Sequence, residues 1–212
     1  MPRPLDFAYL IGAVAASPVW VPRMIRTGKH QTDWPARFGQ GEELPPADRP
    51  RVLLHAVSVG EVNAIDLLVD DLEKTSPSIE PVVATMTDTG FERARQLFHE
   101  RCRVVRFPFD TSQAVTRLLD RVRPDAVGLV ELELWPNFLA ECRRRDIPVA
   151  VVNGRLSERS FGRYRRLGPI ARWLFDPLAA VAAQDETYAE RFRTLGVPAA
   201  RVTVTGSMKW DT

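Results

Sequence analysis

Two carboxylates at the end of an apolar run are the most chemically capable feature of this sequence. In Val130-Glu131-Leu132-Glu133-Leu134-Trp135-Pro136-Asn137 the apolar stretch stops abruptly at Glu131, Glu133 follows two residues on, and an indole and a proline come next. A carboxylate held partly out of water can take a proton from a weakly acidic hydroxyl or relieve a developing positive charge. Glu131 ends the run and should be partly desolvated, which favours chemistry. Glu133 can equally be the acidic complement of a helix dipole. Two apart, the pair would share one side of an extended backbone. A third acid, Glu61, follows Ser58-Val59-Gly60. There the single glycine would let the chain turn sharply and bring Glu61 to a helix N-terminus, as an ordinary acidic first turn also would. Thr85-Met86-Thr87-Asp88-Thr89-Gly90 adds a polar lip, part of it helix capping and part available to a ligand.

The elements that must carry these groups follow from apolar runs alternating with helical patterns. Strands are expected at Arg51 to Val57, Pro81 to Thr85, Arg103 to Phe107, Asp125 to Val130, Ile147 to Val152, Leu178 to Ala183 and Val202 to Thr205. Helical segments lie between them, for example Phe91 to Glu100 and Thr111 to Arg123. The fold class is therefore α/β, a doubly wound, mostly parallel Rossmann-like sheet. Its ligand edge is the carboxyl end of the strands, where all three acids fall. Asn153-Gly154-Arg155-Leu156-Ser157 closes the fifth strand at the same edge.

The 212 residues are 45% hydrophobic with a net charge of +2, enough for a sizeable core and not disordered. Charge is uneven: between residues 143 and 172 nine arginines face only Asp146 and Glu158. That segment is either a solvated helical face or a surface that attracts phosphates or an anionic membrane. Cys102 and Cys142 are unpaired in spacing and the three histidines are scattered, so neither a disulfide framework nor a metal site is expected. No Gly-x-Gly-x-x-Gly, phosphate-loop or Gly-x-Ser-x-Gly motif occurs, and nothing suits nucleic acid.

Residues Phe7 to Val21 carry no charge. As a helix they reach only about 22 Å, short of a ~30 Å hydrocarbon core. Arg23, Arg26, Lys29 and Arg37 follow the run, which puts the rest of the chain in the cytoplasm and argues against a cleaved signal peptide. Residues 1–40 are read as a signal anchor or interfacial helix with a basic flank, 41–50 as a proline-rich linker, and 51–212 as the Rossmann-like domain.

Taken in order, His55-Ala56-Val57-Ser58-Val59-Gly60-Glu61, the 85–90 segment, Phe107-Pro108-Phe109-Asp110, the 131–137 segment, the 153–157 segment and Gly206-Ser207-Met208-Lys209-Trp210-Asp211 resemble the 3-deoxy-D-manno-octulosonic acid (Kdo) transferases. The resemblance covers nearly the whole chain. It implies the amino-terminal, acceptor-binding half of an inverting GT-B glycosyltransferase moving Kdo from CMP-Kdo to the lipid A precursor in lipopolysaccharide biosynthesis, at the cytoplasmic face of the inner membrane. It further implies Glu61 as catalytic base, Glu131 and Lys209 as transition-state stabilisers, and Ser58, Gly60, Thr87, Thr89, Glu133, Asn153, Arg155 and Ser157 as substrate-binding, with no cofactor and no metal. Leu132, Gly154, Ser207 and Trp210 depart mildly from the family pattern. The nucleotide-binding second domain is expected to be absent from this chain, so a catalytically silent glycolipid-binding module is the alternative.

Overall fold

Because its strands are covered on both faces, neighbouring residues on one strand feed different cores. Leu53 belongs to a cluster with Leu118, Phe138, Phe175 and Phe192, while Leu54 packs with Val62, Ile65, Val69 and Phe98. The computed structural model describes residues 3–28 and 31–208. Seven parallel strands form one sheet: β1 Arg51–His55, β2 Glu80–Thr85, β3 Arg103–Arg106, β4 Ala126–Val130, β5 Val149–Gly154, β6 Ala180–Ala183 and β7 Val202–Val204, in the order β3-β2-β1-β4-β5-β6-β7. The α/β doubly wound class is as expected. The strand order reverses direction between β1 and β4, and adjacent connections diverge there to leave a crevice.

Helices α3 (Val59–Ala64), α4 (Asp66–Thr75) and α5 (Asp88–Phe98) cover one face. Helices α6 (Ser112–Val122), α7 (Pro136–Arg144), α9 (Pro169–Phe175) and α10 (Glu186–Thr194) contribute to the core of the other, and α8 (Glu158–Arg166) rides above the carboxyl edge with no buried residue. Amino-terminal to the sheet are α1 (Pro4–Arg26) and the short α2 (Trp34–Arg37). Residues 31–44 are pinned to the domain: Leu44 N–H donates to Arg121 O, Phe109 N–H to Arg37 O, and the Thr32 hydroxyl to Asp88 Oδ1.

Some element ends differ from expectation. β1 stops at His55 rather than Val57, and β5 starts at Val149, after Pro148, which has no N–H to give the ladder, and runs on to Gly154. Helix α1 is longer than its uncharged run: 23 residues, about 34 Å, because Pro4 suits its first turn and Arg23 and Arg26 continue its last. It is long and apolar enough to cross a membrane, and none of its residues is buried. That makes it compatible with membrane association.

Candidate active site

The site is assembled where β1 and β4 lie side by side at the switch of strand order. Ser58 caps α3, its Oγ accepting the Glu61 N–H at 3.3 Å. In return the Glu61 carboxylate accepts the Val57 N–H at 2.8 Å and the Ser58 hydroxyl at 2.8 Å. This reciprocal capping fixes the carboxylate at the strand end. Glu61 is 9% exposed, and burial raises its pKa against the pull of those two donors, with Glu131 adding to the rise.

The neighbouring loop behaves differently. β4 ends at Val130, and Glu131 takes a left-handed backbone with φ of 59°. It is held there by its N–H on Val152 O at 3.0 Å and by the Arg155 N–H on its carbonyl at 3.4 Å. The backbone is not extended through Glu131 and Glu133, so the expected two-residue alternation does not apply. The Glu133 carboxyl is pushed up to about 7 by burial first and by the Glu61 charge second, with the Trp135 side chain partly offsetting the rise and Glu131 adding to it. Glu133 also sits before α7 rather than in its first turn, so the helix-dipole reading does not describe it.

Glu131, Leu132 and Glu133 form one wall of a cleft of about 540 Å³, completed by Arg155, Ser157, Ser160, Arg163, Tyr164 and Leu167 from the β5–α8 loop and α8. The cleft thus sets two acids against a basic, hydroxylated wall, which suits a polyhydroxylated anionic ligand. Arg155 is exposed, and its pKa is raised by Tyr188 and by Glu131. Ser157 caps α8 through Ser160 N–H. The arginine-rich stretch does not act as one patch: Arg144 and Arg145 are tied to Glu141 on α7, and only Arg155 and Arg163 line the cleft.

Other residues serve the frame. Thr87 spends its hydroxyl on Val57 O at 2.6 Å and accepts the Gly90 N–H at 3.1 Å, capping α5, whereas Thr89 is exposed in the first turn. Asn153 is 2% exposed and left-handed, and its Oδ1 accepts the Met208 N–H at 3.2 Å, fixing the residue before Lys209. Lys209 itself lies outside the described residues. Gly60 does not make the turn expected of it: it lies inside α3, and an added Cβ would meet only Ser58 Oγ, at 3.9 Å. Its bareness leaves open space over Glu61's helix. At Gly90, by contrast, packing demands a glycine, since a Cβ there would come within 2.7 Å of Thr87 Oγ1 and 2.8 Å of Val57 O. Sequence reasoning did not single it out, and only its place at the end of the polar lip could have flagged it.

Residues 32–212 match the family of 3-deoxy-D-manno-octulosonic-acid transferases, the kdotransferases. The chain belongs to this family. Among relatives, the 3-deoxy-D-manno-octulosonic acid transferase of Haemophilus influenzae is 34% identical over 174 residues, covering 82% of this chain and 40% of the relative. The enzyme of the same name from Chlamydia trachomatis serovar D is 33% identical over 183 residues, 86% of this chain and 42% of the relative. The chain therefore spans about two fifths of the length of these two relatives. Among solved structures, a Staphylococcus aureus MnaA–UDP complex aligns with a TM-score of 0.57 at 16% identity over 75% of this chain and 45% of its own. Neisseria meningitidis UDP-GlcNAc 2-epimerase aligns with a TM-score of 0.56 at 16% identity over 76% and 48%. At that identity the two structures speak for the fold alone, a Rossmann-like half of the GT-B type.

Proposed function

We propose that this kdotransferase chain binds the acceptor of a Kdo transfer, and that the full-length protein moves Kdo from CMP-Kdo to a lipid A precursor with inversion at the anomeric carbon. The observation that carries the reading is the buried, doubly donated Glu61 on the loop next to the Glu131–Glu133 cleft. The acceptor hydroxyl oxygen forms the new bond to the anomeric carbon, its proton passes to Glu61, and the bond to the CMP phosphate oxygen breaks with its electron pair leaving on CMP. Burial suits Glu61 to that step, because a raised pKa makes it a stronger base. Glu131 would relieve the oxocarbenium-like charge, and Lys209, assigned only by its motif, the leaving phosphate or the donor carboxylate. Arg155 and Arg163 would meet anionic groups of the acceptor, and α1 would hold the protein at the cytoplasmic face of the inner membrane.

One observation favours a second reading. Glu133, not Glu61, lines the cleft, and it titrates near 7, where a general base is most effective. There Glu133 takes the proton and Glu61 raises its pKa. Transfer assays on the full-length protein separate the two: Glu61→Gln abolishing transfer while Glu133→Gln retains most of it supports Glu61, and the reverse supports Glu133. Retention of near wild-type rate by both variants rejects both assignments.

A further inference from the structure

We propose that a cavity along the outer edge of β3 is an anion site separate from the acid cleft, in which Arg121 and Arg106 hold a phosphate group, free or carried on a small organic molecule. It stands independently of the transfer reaction. The cavity measures about 320 Å³ and is lined by β3, by Arg121 of α6, by Phe91 of α5 and by residues between 33 and 44. β3 is the last strand on its side of the sheet, so its outer backbone edge has no neighbouring strand. The acid cleft lies at the ends of β4 and β5, and β1 and β2 stand between the two sites.

Arg121 carries the argument. It is 8% exposed, yet it makes no ion pair among the described residues. Its Nε–H has no acceptor, and its terminal N–H groups reach only the main-chain carbonyls of Glu42 at 3.4 Å and Arg106 at 3.5 Å, both long for hydrogen bonds. Burial lowers its pKa, with Asp33 opposing. The covering segment passes directly over the guanidinium: a Cβ at Gly41 would come within 2.8 Å of Arg121 Nη1. A buried cation without a contacting counter-charge costs stability, and an anion bound there supplies the missing partner.

Arg106 lines the same cavity from β3. Its guanidinium carbon lies 4.3 Å from the centre of the Phe91 ring and its Nη1 pairs with Asp88 at 2.6 Å, but its buried Nε–H has no acceptor. That pairing is shared, because Arg37 at 3.3 Å and the Thr32 hydroxyl at 2.8 Å engage the same Asp88 oxygen. Arg103 adds a third, exposed guanidinium. Of the two acids on the wall, Asp33 gives Oδ1 to the Ala36 N–H, and Glu42 is exposed. Guanidinium forks with N–H groups to spare match phosphate oxygens. Pro35, Leu44, Phe91 and Val105 make the rest of the wall apolar, leaving room for a group that carries the phosphate.

The test is calorimetric titration of the full-length protein with inorganic phosphate and with phenyl phosphate, in a buffer without other polyvalent anions. Saturable binding is expected, weakened about tenfold or more by Arg121→Gln and by Arg106→Gln and kept by Arg163→Gln in the acid cleft. Without phosphate, Arg121→Gln should melt at the wild-type temperature or above it, because the uncompensated charge is gone. Tighter binding of phenyl phosphate names an ester as the ligand, and equal or tighter binding of inorganic phosphate names the free ion; both support the site. Absence of saturable binding by either probe overturns it. So does binding that survives Arg121→Gln, or that is lost only in Arg163→Gln. Arg121→Met, which keeps an apolar stem, repeats the test if the glutamine variant unfolds, and unfolding of both shows that Arg121 serves the frame and overturns the site.

Discussion

The loops after β1 and β4 both place carboxylates on one rim, and they do so by opposite means. Glu61 is locked by hydrogen bonds inside a relaxed helix cap. Glu131 sits on a left-handed backbone, and Glu133 is half-buried, with desolvation first and the Glu61 charge second pushing its carboxyl up to about 7. One loop spends its polar groups on position, and the other stores unfavourable energy where a ligand would relieve it. A cap gives a fixed direction, whereas strain and desolvation give reactivity.

Four substitutions test that contrast. The largest effect is expected from Glu61→Gln, which should lower transfer by about 10²–10⁴-fold if the capped acid is the base. Glu131→Gly should lower transfer by roughly 10²-fold, the scale of one lost stabilising group. Because glycine accepts the left-handed backbone, thermal unfolding should show the same stability or up to about 1 kcal/mol more. A fall in stability would mean the Glu131 side chain holds its own loop. Gly90→Ala should destabilise by about 1–3 kcal/mol, the range for overpacking, since the new Cβ meets Val57 O, whose residue donates to Glu61. Wild-type melting and activity would show that the two loops are not coupled there. The smallest effect is Glu133→Gln, read as melting temperature against pH. The unfolded carboxyl titrates near 4.5 and the folded one near about 7, so the folded chain holds the extra proton between them. The charge therefore lowers stability progressively as pH rises through that window. The variant should gain on wild type by a few degrees at pH 8 and show little difference at pH 4. A gain independent of pH would remove the desolvation account.

Much of this was legible beforehand. Continuous apolar runs such as Ala126–Val130 announce doubly covered parallel strands, and the acids' location at strand ends follows from that alone. The meeting of Glu61 with Glu131 and Glu133 needed the strand order, which no local pattern encodes: 70 residues of chain return beside β1 because the crossover direction reverses after β3. The left-handed turn at Glu131 was hidden because glutamate is not a residue that signals one, whereas Asn153, with the same backbone, does. How the arginine-rich stretch divides was not legible, because composition counts charges without their partners: Glu141 takes two of them, while Arg155 and Arg163 line the cleft. Gly60 and Gly90 look alike in sequence, and only the space around each tells them apart.

The imidazole of His55 lies at the end of β1, fully buried, stacked on Phe107 with ring centroids 3.7 Å apart, and burial lowers its pKa to about 4. It stays uncharged across the working range of an enzyme in neutral solution. Any ionisation seen near pH 7 on this rim consequently belongs to an acid rather than to that ring, and infrared carboxyl bands could follow it without histidine interference from the strand below.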